Sequence, residues 1–191
     1  MFSYWLALAP VLKDLAARGV RVDSVVEARC ARALFRTALP VLIDWFRKTN
    51  NPDLKVELAG ALATPWAKPS GAAALIEGFR GVEDESVRWS IGNALADVAA
   101  DAEFEAIVEL VEDTRHGRSR ERLAVALGKM KDPRAVDVLT RLLSDADVVE
   151  QAVIALGKLR ASRARPQVAA LLKHDRASIR RAAKTALGRM T

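Results

Sequence analysis

Hydrophobic positions along the chain recur with a helical rather than an alternating spacing, and the helical pattern itself recurs. The phrase Ala-Leu-Gly or Ala-Leu-Ala stands at Ala61-Leu62-Ala63, Ala94-Leu95-Ala96, Ala126-Leu127-Gly128, Ala155-Leu156-Gly157 and Ala186-Leu187-Gly188. Successive leucines are 33, 32, 29 and 31 residues apart, and a weaker copy, Ala33-Leu34-Phe35, lies 28 residues before the first. Each leucine closes a stripe of apolar or small residues 8, 4 and 1 places ahead of it, such as Val87, Ile91 and Ala94 before Leu95, or Ile179, Ala183 and Ala186 before Leu187. At about 100° per residue these positions share one sector of a helix, a single buried face. The alanine directly before each leucine lets neighbouring backbones approach closely.

Ahead of each such helix lies another with its own apolar stripe: FEAIVELV over 104–111, AVDVLTRLL over 135–143, QVAALL over 167–172. Pro40, Pro69, Pro133 and Pro166 are read as standing at or just before the first turns of these helices, where a missing N–H costs nothing. Pro52 opens a second helix, and Asp84, Asp145 and Asp147 are placed as caps between the two helices of a repeat. The spacing predicts helix pairs over 2–36, 38–63, 67–98, 102–130, 132–158 and 162–190. A period of about 31 residues, with two helices in each, marks a solenoid in which no repeat buries its apolar face alone. Prolines and glycines interrupt any heptad pattern and exclude a coiled coil. A closed bundle gives no reason for one phrase to return at equal spacing.

Composition supports this and adds a polarity. Of 191 residues, 51% are apolar but only 5% aromatic, so the core is aliphatic and small, which suits helices. The net charge of +6 is unevenly spread: residues 1–114 hold 12 Lys/Arg against 17 Asp/Glu, and residues 115–191 hold 18 against 7. Such asymmetry suggests an acidic partner. Cys30 is the single cysteine; no intramolecular disulfide can form, and its apolar neighbours predict a buried, inert thiol. The apolar opening MFSYWLALAPVL has no basic leader or small-residue cleavage site and is too short to span a bilayer. A soluble cytoplasmic protein, monomeric and not membrane-bound, is the expectation.

Asp84-Glu85-Ser86-Val87-Arg88, running on to Ala94-Leu95-Ala96, and the stretch Ile179 to Gly188 carry a resemblance to HEAT-like repeats, whose phrase is D-x-x-V-R-x-x-A-A-x-A-L-G. The resemblance covers about 38–190 clearly and 1–37 weakly. The chain is also similar to bacterial stand-alone HEAT-repeat proteins whose function is generally unassigned. It implies an all-α, right-handed α–α superhelix of the HEAT/armadillo kind, with about six helix pairs and no strand. Residues 1–191 would form one array, with 1–37 a divergent capping unit and 38–190 the repeats. In this family the Arg of the phrase helps tie one repeat to the next. Val149 and Lys55 replace it here, which puts an unbroken polar ladder in question.

No catalytic constellation emerges. His116 reads as an exposed loop residue and His174 as a complement to a helix end; neither belongs to a metal-ligand set, and no phosphate-loop or nucleophile-elbow motif occurs. No cofactor, metal or enzymatic activity is expected. The resemblance brings two exceptions into view, DNA glycosylases that place tryptophans and a carboxylate in a concave groove, and chromophore lyases. Trp5, Trp45, Trp66 and Trp89 form no such cluster in the sequence and read as packing residues.

The residues opposite the buried stripe, 9, 5 and 2 places before each leucine and 2 after it, are expected to line the concave face. They pass from acidic (Asp53, Glu57, Asp97) to basic. The candidate binding residues are Arg118, Arg122, Val125, Lys129, Ile154, Lys158 and Arg189, cations around two outward apolar side chains. An apolar centre with charged neighbours suits a protein partner, so the expected function is a scaffold binding an acidic protein or peptide. Nucleic acid is the second class of partner, opposed by residues 77–113 with 11 Asp/Glu and 2 Lys/Arg.

Overall fold

The computed structural model describes residues 2–30 and 32–190. Among them are twelve α-helices and no strand: α1 (Phe2–Ala17), α2 (Val25–Cys30), α3 (Arg32–Lys48), α4 (Pro52–Leu62), α5 (Ser70–Gly81), α6 (Glu85–Val98), α7 (Phe104–Glu112), α8 (Glu121–Leu127), α9 (Ala135–Arg141), α10 (Val149–Lys158), α11 (Arg165–Ala170) and α12 (Ala177–Leu187). They form two compact units, Met1–Val98 and Ala99–Thr191.

In the first unit α2 packs on α4 and α4 on α6, while α3 packs on α5. The stripe residues Leu54, Leu58, Ala61 and Leu62, then Val87, Ile91, Ala94 and Leu95, are buried. Local signals set the helix starts. Asn51 accepts from Leu54 N–H at 3.0 Å with Pro52 in the first turn. Asp84 accepts from the N–H groups of Ser86 and Val87 at 2.8 and 3.0 Å.

The opening of the chain departs from the sequence reading. α3 runs across residue 37, with Pro40 inside it rather than at its start. Its stripe of Phe35, Ala38, Leu42 and Phe46 is buried on both sides of the proline, so packing outweighs the lost backbone bond. The stripe also sets the register: Phe35 is buried and Leu34 is 38% exposed, so Ala33-Leu34-Phe35 is not a copy of the repeated phrase. Cys30 is exposed, not buried, because the inward face of α2 is Val25 and Ala28, and two residues on from Ala28 is nearly the opposite side of a helix. The tryptophans do not fill the core either. Trp5, Trp66 and Trp89 are 59%, 43% and 44% exposed; Trp45 is half-buried and donates to Asp14 at 2.9 Å. The Arg32 guanidinium lies 3.9 Å over the Trp66 ring.

In the second unit α8 packs on α10 and α10 on α12, with α7, α9 and α11 as the first helices of three hairpins. The repeated phrase acquires its physical reason here. A Cβ built on Gly128 would lie 2.7 Å from the Cβ of Ala155, and one on Gly157 2.8 Å from Cα and Cβ of Ala186. The glycine ending one phrase therefore receives the alanine opening the next, and the second helices touch backbone to backbone. Leu123, Leu127, Val153 and Leu156 close the core beside this contact.

Polar ties repeat with the same period. Arg134 meets Glu105 at 2.6 Å and Arg141 meets Glu112 at 2.6 Å, each across 29 residues, and Arg163 reaches Asp137 at 3.1 Å. These pairs are exposed and worth little singly. Arg120 is different: it is 1% exposed, bonded to Asp145 at 2.7 Å, to the carbonyls of Gly117 and Val111 at 2.9 and 3.1 Å, and lies 3.4 Å from Asp147. A guanidinium stripped of water is held only because nearly every donor is met. The equivalent position one repeat later is Val149, and the tie comes from the other side. Arg176 donates to Ala146 O at 2.7 Å and Ser178 to Glu150 at 2.7 Å.

Four outcomes follow. Gly157→Ala should lower stability by about 1–3 kcal/mol in urea unfolding, since the new methyl has only the backbone and fixed Cβ of Ala186 to push against. Gly188→Ala, where a Cβ meets only the carbonyls of Thr185 and Lys184 beyond 3.5 Å, should leave the urea midpoint unchanged or raised. Leu127→Ala should cost about 2–5 kcal/mol. The fourth concerns pH. The hydrogen bond from Arg120 holds the Asp145 carboxyl below its ordinary value. Its contribution is complete above the unfolded value of about 3.9 and is lost as pH falls through the lower folded one. The stability gap between the wild type and Asp145→Asn should therefore be widest near neutrality and shrink in acid, read from urea midpoints across pH.

Candidate functional site

The second helices of the last two hairpins, α10 and α12, are held together by the Gly157–Ala186 contact, and an open groove of about 420 Å³ runs along the seam. Ile154 and Ala182, each half-buried, form its floor. Glu150 and Ser178 join across one end through their 2.7 Å hydrogen bond, and Lys158 and Arg189 stand at the other. Arg181 and Thr185 line the α12 wall. A second hollow of about 460 Å³ continues past Gly157, bounded by Lys158, Arg160, Gly188 and Arg189.

Sequence position explains the lining. Ile154 and Lys158 stand 2 places before and 2 after Leu156; Ser178, Ala182, Thr185 and Arg189 stand 9, 5 and 2 before and 2 after Leu187. Of the seven candidate residues, the structure thus brings Ile154, Lys158 and Arg189 to one groove. Arg122 and Val125 are half-buried on α8, Lys129 is exposed just past it, and Arg118 lies ahead of it, bonded to Glu121 at 2.8 Å; none of the four lines these two hollows. Glu150 and Arg181 were missed. Each stands 6 places before its leucine, about 40° outside the sector considered, so one further offset would have found both.

Charge is the main property of this region. Between 158 and 189 there are ten Lys/Arg and one acid, Asp175. Earlier in the unit the cations have carboxylate partners: Arg115 with Asp113, Arg118 with Glu121, Arg134 with Asp132 and Glu105. Arg165 and Arg180 are taken up by backbone carbonyls. Among the described residues Lys158, Arg160, Arg181 and Arg189 meet no carboxylate. Arg160 also holds a left-handed backbone, φ 51°, in a helix-end motif where Ala161 N–H reaches Leu156 O at 3.1 Å and glycine is the usual occupant.

The histidines lie apart from the groove. His116, contrary to the exposed loop expected, has only 11% of its side chain exposed and sits 3.5 Å from Asp113, packed under the turn that leads into α8. Asp113 is held well below the usual carboxylate range by its hydrogen bonds from Arg115. His174 Nδ1 accepts from Arg176 N–H at 3.1 Å, which caps a turn. Among the described residues no three His, Cys, Asp or Glu side chains gather to hold a metal ion, and no helix is long and apolar enough to cross a membrane.

With the geometry in place, comparison with known proteins adds the class. Residues 116–188 match the family model described as HEAT repeats. The crystal structure of an engineered protein, a structural genomics target, superposes with a TM-score of 0.52 at 21% identity, covering 83% of this chain and 82% of that one. This likeness bears on the fold alone. No curated protein matches the chain. Stacked helix hairpins of this kind are an all-α solenoid fold. Residues 116–188 are thus similar to HEAT repeats, and the all-α fold agrees with that likeness.

Replacing Arg160 tests whether its charge is kept at the expense of the fold. Arg160→Gly should raise the unfolding free energy by about 0.5–1 kcal/mol, because glycine adopts the left-handed conformation without penalty. Urea denaturation measures it.

Proposed function

We propose that the second unit docks an acidic protein segment, and that the groove between α10 and α12 is where it binds. HEAT repeats generally serve as protein-interaction scaffolds. The observation that carries the finer reading is the coincidence of unpartnered cations with an apolar floor: Lys158, Arg181 and Arg189 around Ile154 and Ala182. Several arginines earlier in the unit already meet carboxylates, so a carboxylate-bearing partner would complete here what Glu105 and Glu112 do for Arg134 and Arg141. Arg118, Arg122, Val125 and Lys129 on and beside α8 form the adjoining part of the proposed surface. The cations draw an anionic partner in and the apolar residues hold it.

The ten-to-one charge of residues 158–189 is also what a nucleic-acid surface needs, and the same experiment separates the two. Fluorescently labelled acidic peptides with a central leucine, and a duplex oligonucleotide, are titrated against the full chain across salt. Paired substitution of Val125→Ser and Ile154→Ser should weaken peptide binding about fivefold or more and leave the oligonucleotide unaffected. Lys158→Ala with Arg189→Ala should weaken the peptides and flatten their salt dependence. Oligonucleotide binding that is tighter than the peptides', insensitive to the serine pair and lost on the alanine pair would replace the protein reading with the nucleic-acid one.

A further inference from the structure

The groove is not uniformly basic, and the asymmetry carries information about its occupant. Glu150 in the first turn of α10 and Lys158 in its last are eight residues apart, about 12 Å along the axis, with Ile154 midway. At the Glu150 end the carboxylate accepts from Ser178 and puts an acid into the lining of the groove. At the other end Lys158, Arg189 and Arg160 face no carboxylate among the described residues. The floor between the ends is apolar.

From this we infer that the groove selects a segment of polar order: an apolar side chain on Ile154 and Ala182, carboxylates about one helical turn away over Lys158 and Arg189, and a basic or N–H-donating residue at the Glu150 end. The inference rests on the acidic-segment reading above and narrows it. A chain with acid on both sides meets Glu150, and so does a phosphodiester backbone, whose charge recurs at every step and which gains nothing from the floor. Glu150 acts here as a filter: it weakens the attraction of the basic region for arbitrary polyanions and leaves it intact for one arrangement of charge.

Two labelled peptides sharing a central leucine test this on the full chain. One carries lysines on one side and glutamates on the other; the second carries glutamates on both. Glu150→Gln removes the charge and leaves an amide oxygen to accept from Ser178. It should weaken the lysine–leucine–glutamate peptide about two- to fivefold and strengthen the all-glutamate one by a similar factor, the range of a solvated ion pair. Ser178→Glu, which adds a second carboxylate at the same end, should move both affinities the opposite way. A misfolded variant would lose both peptides, so opposite shifts cannot come from damage to the fold. Equal shifts in one direction, or no shift, in both variants would overturn the directional inference while loss of binding on Lys158→Ala with Arg189→Ala kept the acidic-segment reading. If neither peptide binds, or both survive that alanine pair, the reading and the inference fall together. An oligonucleotide that outcompetes both peptides and gains affinity on Glu150→Gln would also overturn both.

Discussion

The second unit depends on how closely two helix backbones can approach. Gly128 against Ala155, and Gly157 against Ala186, leave no room for a further carbon, so helices α8, α10 and α12 sit at a separation set by main chain rather than by side-chain length. The leucines beside these contacts can then be fully enclosed by neighbours on the next helix, and dispersion acts at full strength. The same closeness makes the groove: where α10 and α12 touch along one line, the side chains just outside it diverge and leave a furrow. Fold and candidate site come from one contact.

In the first unit the large side chains divide between surface and core: three of the four tryptophans stand at the surface of their helices. Phe46 is buried where glycine makes room: a Cβ on Gly78 would fall on its ring. The buried guanidinium of Arg120 fills the space where the turn before α8 leaves carbonyls without helical partners, and Asp145 from the next hairpin meets its charge.

The repeat was legible because its signal is local and periodic: Leu62, Leu95, Leu127 and Leu156 are buried where the 31-residue rhythm puts them. Leu34 shared the phrase but not the environment, since Phe35, the bulkier neighbour, took the inward position. Cys30 was misjudged from its neighbours in sequence, when the short helix α2 has an inward face only two residues wide. Lys158, Ile154 and Arg189 were reachable from helical offsets. What the offsets could not convey is which cations are already neutralised. Arg118 and Lys158 look alike in sequence, but only the first has a carboxylate three residues along on the same turn. Nor could they reveal that a lost arginine at Val149 is answered by Arg176 and Ser178 from the following hairpin.

The glycine–alanine contacts between hairpins have an evolutionary consequence. Gly128 receives Ala155 and Gly157 receives Ala186, so in the second unit the middle hairpin offers an alanine to its predecessor and a glycine to its successor. A stretch of coding sequence that spans one whole period can be duplicated or deleted with glycine still set opposite alanine. A change of any other length shifts glycine away from alanine and puts larger side chains into the seam. These small residues thus act as alignment marks, permitting the array to grow or shrink by whole hairpins and penalising every other edit.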